Sequence, residues 1–170
     1  MLSERAKSLK TSPTLFLVAK AKELQAQGND VISLTVGEPD WATYPAASEA
    51  GIEAIRKGIT KYTPANGTIE LRKAIAQRVH LDLNLTYAAN EVAVTSGAKF
   101  AIFAALQVLC DPTDEVIIHS PYWVSYPTMV ELAGAKPVLV TCTEDTGFKI
   151  TAELLRKNIT PQTKVFLFCS

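Results

Sequence analysis

The chain has 170 residues, 48% hydrophobic and 20% charged, with seventeen Lys and Arg balanced by seventeen Asp and Glu. That length suits a compact domain with a real core, and the neutral balance argues against a nucleic-acid surface or a polybasic membrane patch. The longest apolar run, Phe100 to Cys110, is broken by Gln107 and is too short to span a bilayer. The opening MLSERAKSLKTSP has no apolar signal core. Cys110, Cys142 and Cys169 are odd in number and lack CxxC spacing, which points to reduced thiols of a cytoplasmic protein. His80 and His119 lie far apart and take structural readings, so no metal site is expected.

In chain order, Ser12 and Pro13 make a helix start, Ser as N-cap and Pro in the first turn, for a helix over about 14–27 that stops at Gly28-Asn29. A short strand is predicted over 31–35 and an irregular loop, GEPDWATY, over 37–44. Helices follow over about 45–57 and 68–82, joined by the turn-rich connector KYTPANG at 61–67. The rest alternates: strand 91–95, helix 98–109, strand 115–119, helix 122–132, strand 136–140, helix 151–158 and strand 164–169. Turns are expected at Asp111 to Asp114 and Thr143 to Gly147. Val- and Ile-rich strands alternating with helices predict an α/β fold, a mostly parallel sheet with helices on both faces. The pattern KVFLFC at 164–169 is followed at once by Ser170, and this leads us to expect the front part of a longer protein.

The most informative segment is VTSGAKFAIFAAL, 94–106. A β-rich run enters the turn Ser96-Gly97-Ala98-Lys99 and an apolar helix begins at once. The first amides of a helix lack intrahelical acceptors, and the macrodipole adds partial positive charge there. Such a turn suits a phosphate held by backbone amides. Gly97 permits unusual φ and close approach, Ser96 adds a hydroxyl and Lys99 a positive charge. On spacing alone an ordinary strand-to-helix turn of an α/β domain is the favoured reading.

Several strings together resemble the class I, fold-type I aminotransferases that use pyridoxal 5′-phosphate (PLP): VGEPDW (36–41), KYTPANGTIELRKAIA (61–76), VTSGAKFAIF (94–103), DPTDEVIIHSPYWVSYP (111–127) and ITPQTKVFLF (159–168). They fall in the family's order and are most similar to its bacterial aspartate aminotransferase branch. The resemblance implies a division into residues 1–45, an N-terminal arm and part of a small domain, and 46–170, the first part of a large PLP-binding domain. It implies that Ser96, Gly97, Ala98 and Lys99 cradle the PLP phosphate, mainly through the amides of Ala98 and Lys99. Trp123 would stack on the pyridine ring, a task suited to its flat π-face. Tyr62 would reach the phosphate of a neighbouring subunit, hence a homodimer with shared active sites.

For substrate, the resemblance places Gly37 beside the α-carboxylate, and Ser12, Thr14 and Lys99 near the side-chain carboxylate of a dicarboxylic acid; helix capping is the competing role of Ser12 and Thr14. Trp123 would contact substrate as well as cofactor. PLP acts as an electron sink at the substrate Cα. The lysine that binds it, the Asp at its ring nitrogen and the Arg for the α-carboxylate lie downstream of residue 170 in the family. No catalytic residue is therefore expected within 1–170, which alone should be inactive. The implied reaction is amino transfer between an amino acid, aspartate foremost, and 2-oxoglutarate, with neither nucleic acid nor membrane as partner. The alternatives are another fold-type I PLP enzyme (an aromatic or alanine-type aminotransferase, or a β-lyase) and a non-catalytic aminotransferase-like effector-binding module.

Overall fold

The computed structural model describes residues 1–3, 6, 7, 9 and 13–169. The chain divides into two compact units, Met1–Val36 with Ile102–Ser170, and Gly37–Ala101. In the first lies helix α1 (Pro13–Ala26), which buries none of its residues. The second holds α2 (Pro45–Arg56), α3 (Ile69–Leu83) and a 3₁₀ turn at Ala89–Glu91. Helix α4 (Ala98–Leu109) begins in the second unit and continues in the first. Then follow β1 (Glu115–His119), α5 (Tyr126–Leu132), β2 (Lys136–Val140), a 3₁₀ turn at Glu144–Thr146, α6 (Ala152–Asn158) and β3 (Thr163–Leu167).

Local chemistry sets these boundaries. Thr68 caps α3, its Oγ1 accepting from the Leu71 amide at 3.4 Å, and Asn84 closes the helix in the left-handed conformation, φ 54°. Thr151 caps α6 in the same way at 3.1 Å. Proline opens α2, where its missing N–H is no loss.

The first unit is built on a parallel sheet of order β2-β1-β3. Alternation along β1 divides its side chains between two faces. Val116 and Ile118 turn toward Leu106 of α4 and Met129 and Val130 of α5, with Val165 and Leu167 of β3 packed alongside. Ile117 lies on the opposite face with no exposure at all, next to His119. The His119 ring sits 6.0 Å from that of Phe166, which stacks in turn on Phe168. Full burial of residues such as Ile118 contributes about 1.5–3 kcal/mol each, and truncation to alanine would cost about 2–5 kcal/mol. The connection from β1 leads outward to β2, and the next returns across β1 to β3. With strand order β2-β1-β3 the two crossovers run in opposite directions, and the right hand that such connections favour places their helices on opposite faces of a sheet. The α/β expectation is thus met, on a small sheet.

Three expected elements differ. Residues 31–35 and 91–95 form no strand: Glu91 ends the 3₁₀ turn, and neither segment finds a ladder partner among the described residues. Val92 is extended (φ −111°, ψ 129°), yet the Val94 amide donates to the Asn66 carbonyl at 3.1 Å, a single loop contact. The helix expected over 122–132 starts only at Tyr126. In a helix begun at residue 122, Pro127 would sit in the interior, lacking an N–H and clashing with the carbonyl four residues back. In the observed helix it occupies the first turn.

Candidate cofactor and substrate site

In the second unit, Ser96-Gly97-Ala98-Lys99 forms an exposed turn at the N-terminus of α4. The Gly97 amide donates to the Thr95 carbonyl at 2.8 Å, a γ-turn closed over Ser96. The Gly97 carbonyl accepts twice, from the Thr95 hydroxyl at 3.1 Å and from the Ala101 amide at 3.3 Å, the first bond of the helix. Gly97 has φ +87°, a region other residues rarely adopt, and a Cβ built there would meet no heavy atom within 4 Å. Space therefore lies open before the glycine backbone, and the first-turn amides from Ala98 onward face the helix's positive end.

The connector carrying Tyr62 belongs to the same unit. Tyr62 is fully exposed and, with Thr60 and Lys61, lines a hollow of about 230 Å³. Farther along, Asn66 and Gly67 dock on Val94, two residues ahead of Ser96. A Cβ on Gly67 would fall 2.7 Å from a Val94 methyl, and φ there is +91°. Arg72 of α3 spans the junction, Nε donating to the Gly67 carbonyl at 3.1 Å and Nη1 to the Ala89 carbonyl at 2.8 Å. Gly37 opens this unit in exposed, irregular chain with open space at its Cα.

In the first unit, Trp123 stands on the loop leaving the carboxyl end of β1, the end at which open α/β sheets bind ligands. It lies ahead of α5 and is 42% exposed, and its carbonyl accepts from the Tyr126 amide. Ser120 fastens the loop's root: its amide donates to the Val140 carbonyl at 2.8 Å, and its Oγ accepts from the Cys142 amide at 3.1 Å. The first bond carries the β1–β2 pairing one residue past β1, and the second ties the chain beyond β2 to the same serine. Thr14 is half-buried in the first turn of α1; Ser12 lies outside the described residues.

The turn 96–99 and the Tyr62 connector thus share a unit, while Trp123 and Thr14 belong to the other. A larger hollow, about 330 Å³, lies past β2 among Thr141, Thr143, Asp145, Thr151, Glu153 and Lys157, and contains none of the sequence-predicted site residues. Arg72, Asn66 and Ser120 were not singled out from sequence. Their partners are backbone groups, among them Ala89, Val94 and Cys142, that only folding brings near.

A family model described as aminotransferase class I and II matches residues 29–170, and the chain belongs to that family. It is 46% identical over 169 residues to the aspartate aminotransferase of Bacillus subtilis (strain 168), covering 99% of this chain and 43% of that protein. Against the aspartate aminotransferase of Geobacillus stearothermophilus the identity is 48% over 169 residues, with the same coverage of 99% and 43%. Among solved structures, the Thermus thermophilus aspartate aminotransferase with maleate superimposes with a TM-score of 0.94 at 44% identity, over 98% of this chain and 44% of that one. The Rhizobium meliloti aspartate aminotransferase gives 0.91 at 40%, over 98% and 42%. The chain spans about 43% of the length of these curated relatives.

Proposed function

We propose that the full-length protein carrying this sequence is a PLP-dependent aminotransferase that moves an amino group between aspartate and 2-oxoglutarate. The observation that carries the reading is the turn at residues 95–99, a left-handed glycine with open space before it at a helix N-terminus. A phosphate monoester suits that turn, because charge, amide donors and room coincide. Family membership and relatives named as aspartate aminotransferases support the same reading.

In this account the Ser96 hydroxyl and the amides of Ala98 and Lys99 hold the phosphate, and Gly97 lets it approach the backbone. The indole of Trp123 lies against the ring and restricts its tilt. Tyr62 serves the phosphate of a second copy of the chain in a homodimer with shared sites. The Gly37 amide faces the substrate α-carboxylate, and Ser12, Thr14 and Lys99 receive the side-chain carboxylate. The maleate named with the Thermus thermophilus structure, a dicarboxylate, is in keeping with that assignment. When bound, PLP supplies an electron sink that stabilises negative charge at the substrate Cα.

Residues 1–45 would be an arm and part of a small domain, and 46–170 the first part of the PLP-binding domain, in a cytoplasmic protein of amino-acid biosynthesis. The cofactor-binding lysine would lie outside residues 1–170, which alone would not turn over. A second reading is favoured by the Nitrosomonas europaea and Cereibacter sphaeroides relatives named aspartate/prephenate aminotransferase, 43% and 46% identical: prephenate would then serve as an amino acceptor.

Assay of the PLP-loaded full-length protein with aspartate, alanine or an aromatic donor against 2-oxoglutarate and prephenate tests both readings. Preference for aspartate is the expected result. PLP uptake without any amino transfer would overturn the proposal in favour of an effector-binding module.

A further inference from the structure

We infer that Arg72 is a positioning residue: its guanidinium ties the Tyr62 connector to the segment feeding the Ser96–Lys99 turn, so that the two candidate phosphate-contacting elements are held by one clamp. The inference rests on the reading of those elements given above, and its geometry lies within one compact unit.

Independent contacts converge on the junction. Arg72 Nε takes the carbonyl of Gly67, the last residue of the connector, while Nη1 takes that of Ala89, three residues ahead of the extended segment that starts at Val92. Asn66 accepts from the Val94 amide, bonding connector to segment directly. Gly67 packs so closely on Val94 that a side chain of any size would force them apart. The 3₁₀ turn beneath Ala89 is fixed on its own account, with the Glu91 carboxylate accepting from the Ala88 amide at 2.7 Å. Arginine suits the task because its planar fork donates in two fixed directions at once, where lysine offers a compact point charge. Hydrogen bonds from a charged donor are also stronger than neutral ones.

The chemical consequence is mechanical coupling. Tyr62 is assigned to the phosphate of a second subunit and Ser96–Lys99 to that of its own. A clamp between them makes the geometry of one site depend on that of its neighbour, although Arg72 touches neither phosphate.

The test uses the full-length protein and three variants, Arg72→Ala, Arg72→Lys and Gly67→Ala, followed by amide hydrogen exchange without cofactor and by PLP titration. Arg72→Ala is expected to speed exchange in residues 61–67 and 92–97 together and to raise the Kd for PLP, each by about ten-fold, with unfolding still cooperative. Arg72→Lys should restore part of both effects, and Gly67→Ala should loosen the same two segments by displacing Val94. Faster exchange in only one segment, in neither, or in both with an unchanged Kd, would overturn the inference. Should the unaltered protein take up no PLP, the functional reading fails and the exchange pattern alone decides the clamp. Should Arg72→Ala not fold, the other two variants carry the same outcomes.

Discussion

Thr95 and Gly97 hold each other across Ser96: the Gly97 amide donates to the Thr95 carbonyl at 2.8 Å, and the Thr95 hydroxyl donates back to the Gly97 carbonyl at 3.1 Å. This reciprocal pair fixes the turn before any ligand arrives, so a phosphate would meet amides already aimed. Preorganisation of that kind raises affinity by lowering the ordering cost of binding.

Gly97→Ala should therefore act through conformation. Space for a methyl group exists, but φ +87° is strained for any residue with a Cβ. We expect a loss of about 1–2 kcal/mol of stability in urea unfolding and a weaker PLP titration. Unchanged values for both would show that the turn tolerates a side chain and is not set by glycine.

Ser120→Ala removes the acceptor of the Cys142 amide at the root of the Trp123 loop. Leaving such a donor unmet costs about 1–3 kcal/mol, and Ser120→Thr, which keeps the hydroxyl, should retain most of it. Thermal unfolding of the pair of variants checks the difference. Equal losses in the two would assign the effect to packing.

Glu115 accepts from Lys136 Nζ at 2.8 Å and from Thr160 Oγ1 at 2.8 Å, and the Lys136 contact foremost holds its carboxyl below the ordinary range. A carboxyl depressed in the folded state stabilises the fold above its unfolded pKa, and that stability fades as pH falls through the folded value. Acid titration of stability should thus show a shallower loss in Glu115→Gln than in the unaltered protein. Superimposable acid limbs would remove Glu115 from the account.

Cys110 and Cys142 are both buried, and burial foremost pushes the Cys110 thiol above its usual range. A scarce thiolate in an apolar site reacts slowly. Thiol labelling of the native protein should spare both until denaturant is added, as read by peptide mass. Prompt labelling of Cys110 under native conditions would contradict the packing of α4 on β1.

The sequence made some elements legible and concealed others for physical reasons. Helix Ala98–Leu109 and strands Glu115–His119 and Lys136–Val140 have the predicted bounds. Turn signals bracket each of them, and Leu106 of the helix and Val116 and Ile118 of the first strand meet in one core. Residues 31–35 and 91–95 show strand composition, but pairing depends on a neighbour that composition does not contain. Pro127 did carry a warning against a helix over 122–132, and it outweighs the apolar pattern around it. At the candidate site, the tight turn at the start of Ala98–Leu109 was readable from glycine and small residues. The clamp of Arg72 and the rung added by Ser120 were not, because each acts on backbone carbonyls or amides brought close only by folding.

The central claim, that residues 96–99 hold the phosphate of PLP while its covalent lysine lies elsewhere, is tested most directly by borohydride reduction of the PLP-loaded full-length protein with peptide mapping. The account predicts a single reduced-PLP adduct on a lysine outside residues 1–170, lost when Gly97→Ala and Trp123→Ala are combined. An adduct on Lys99, or no adduct on the unaltered protein, would contradict it.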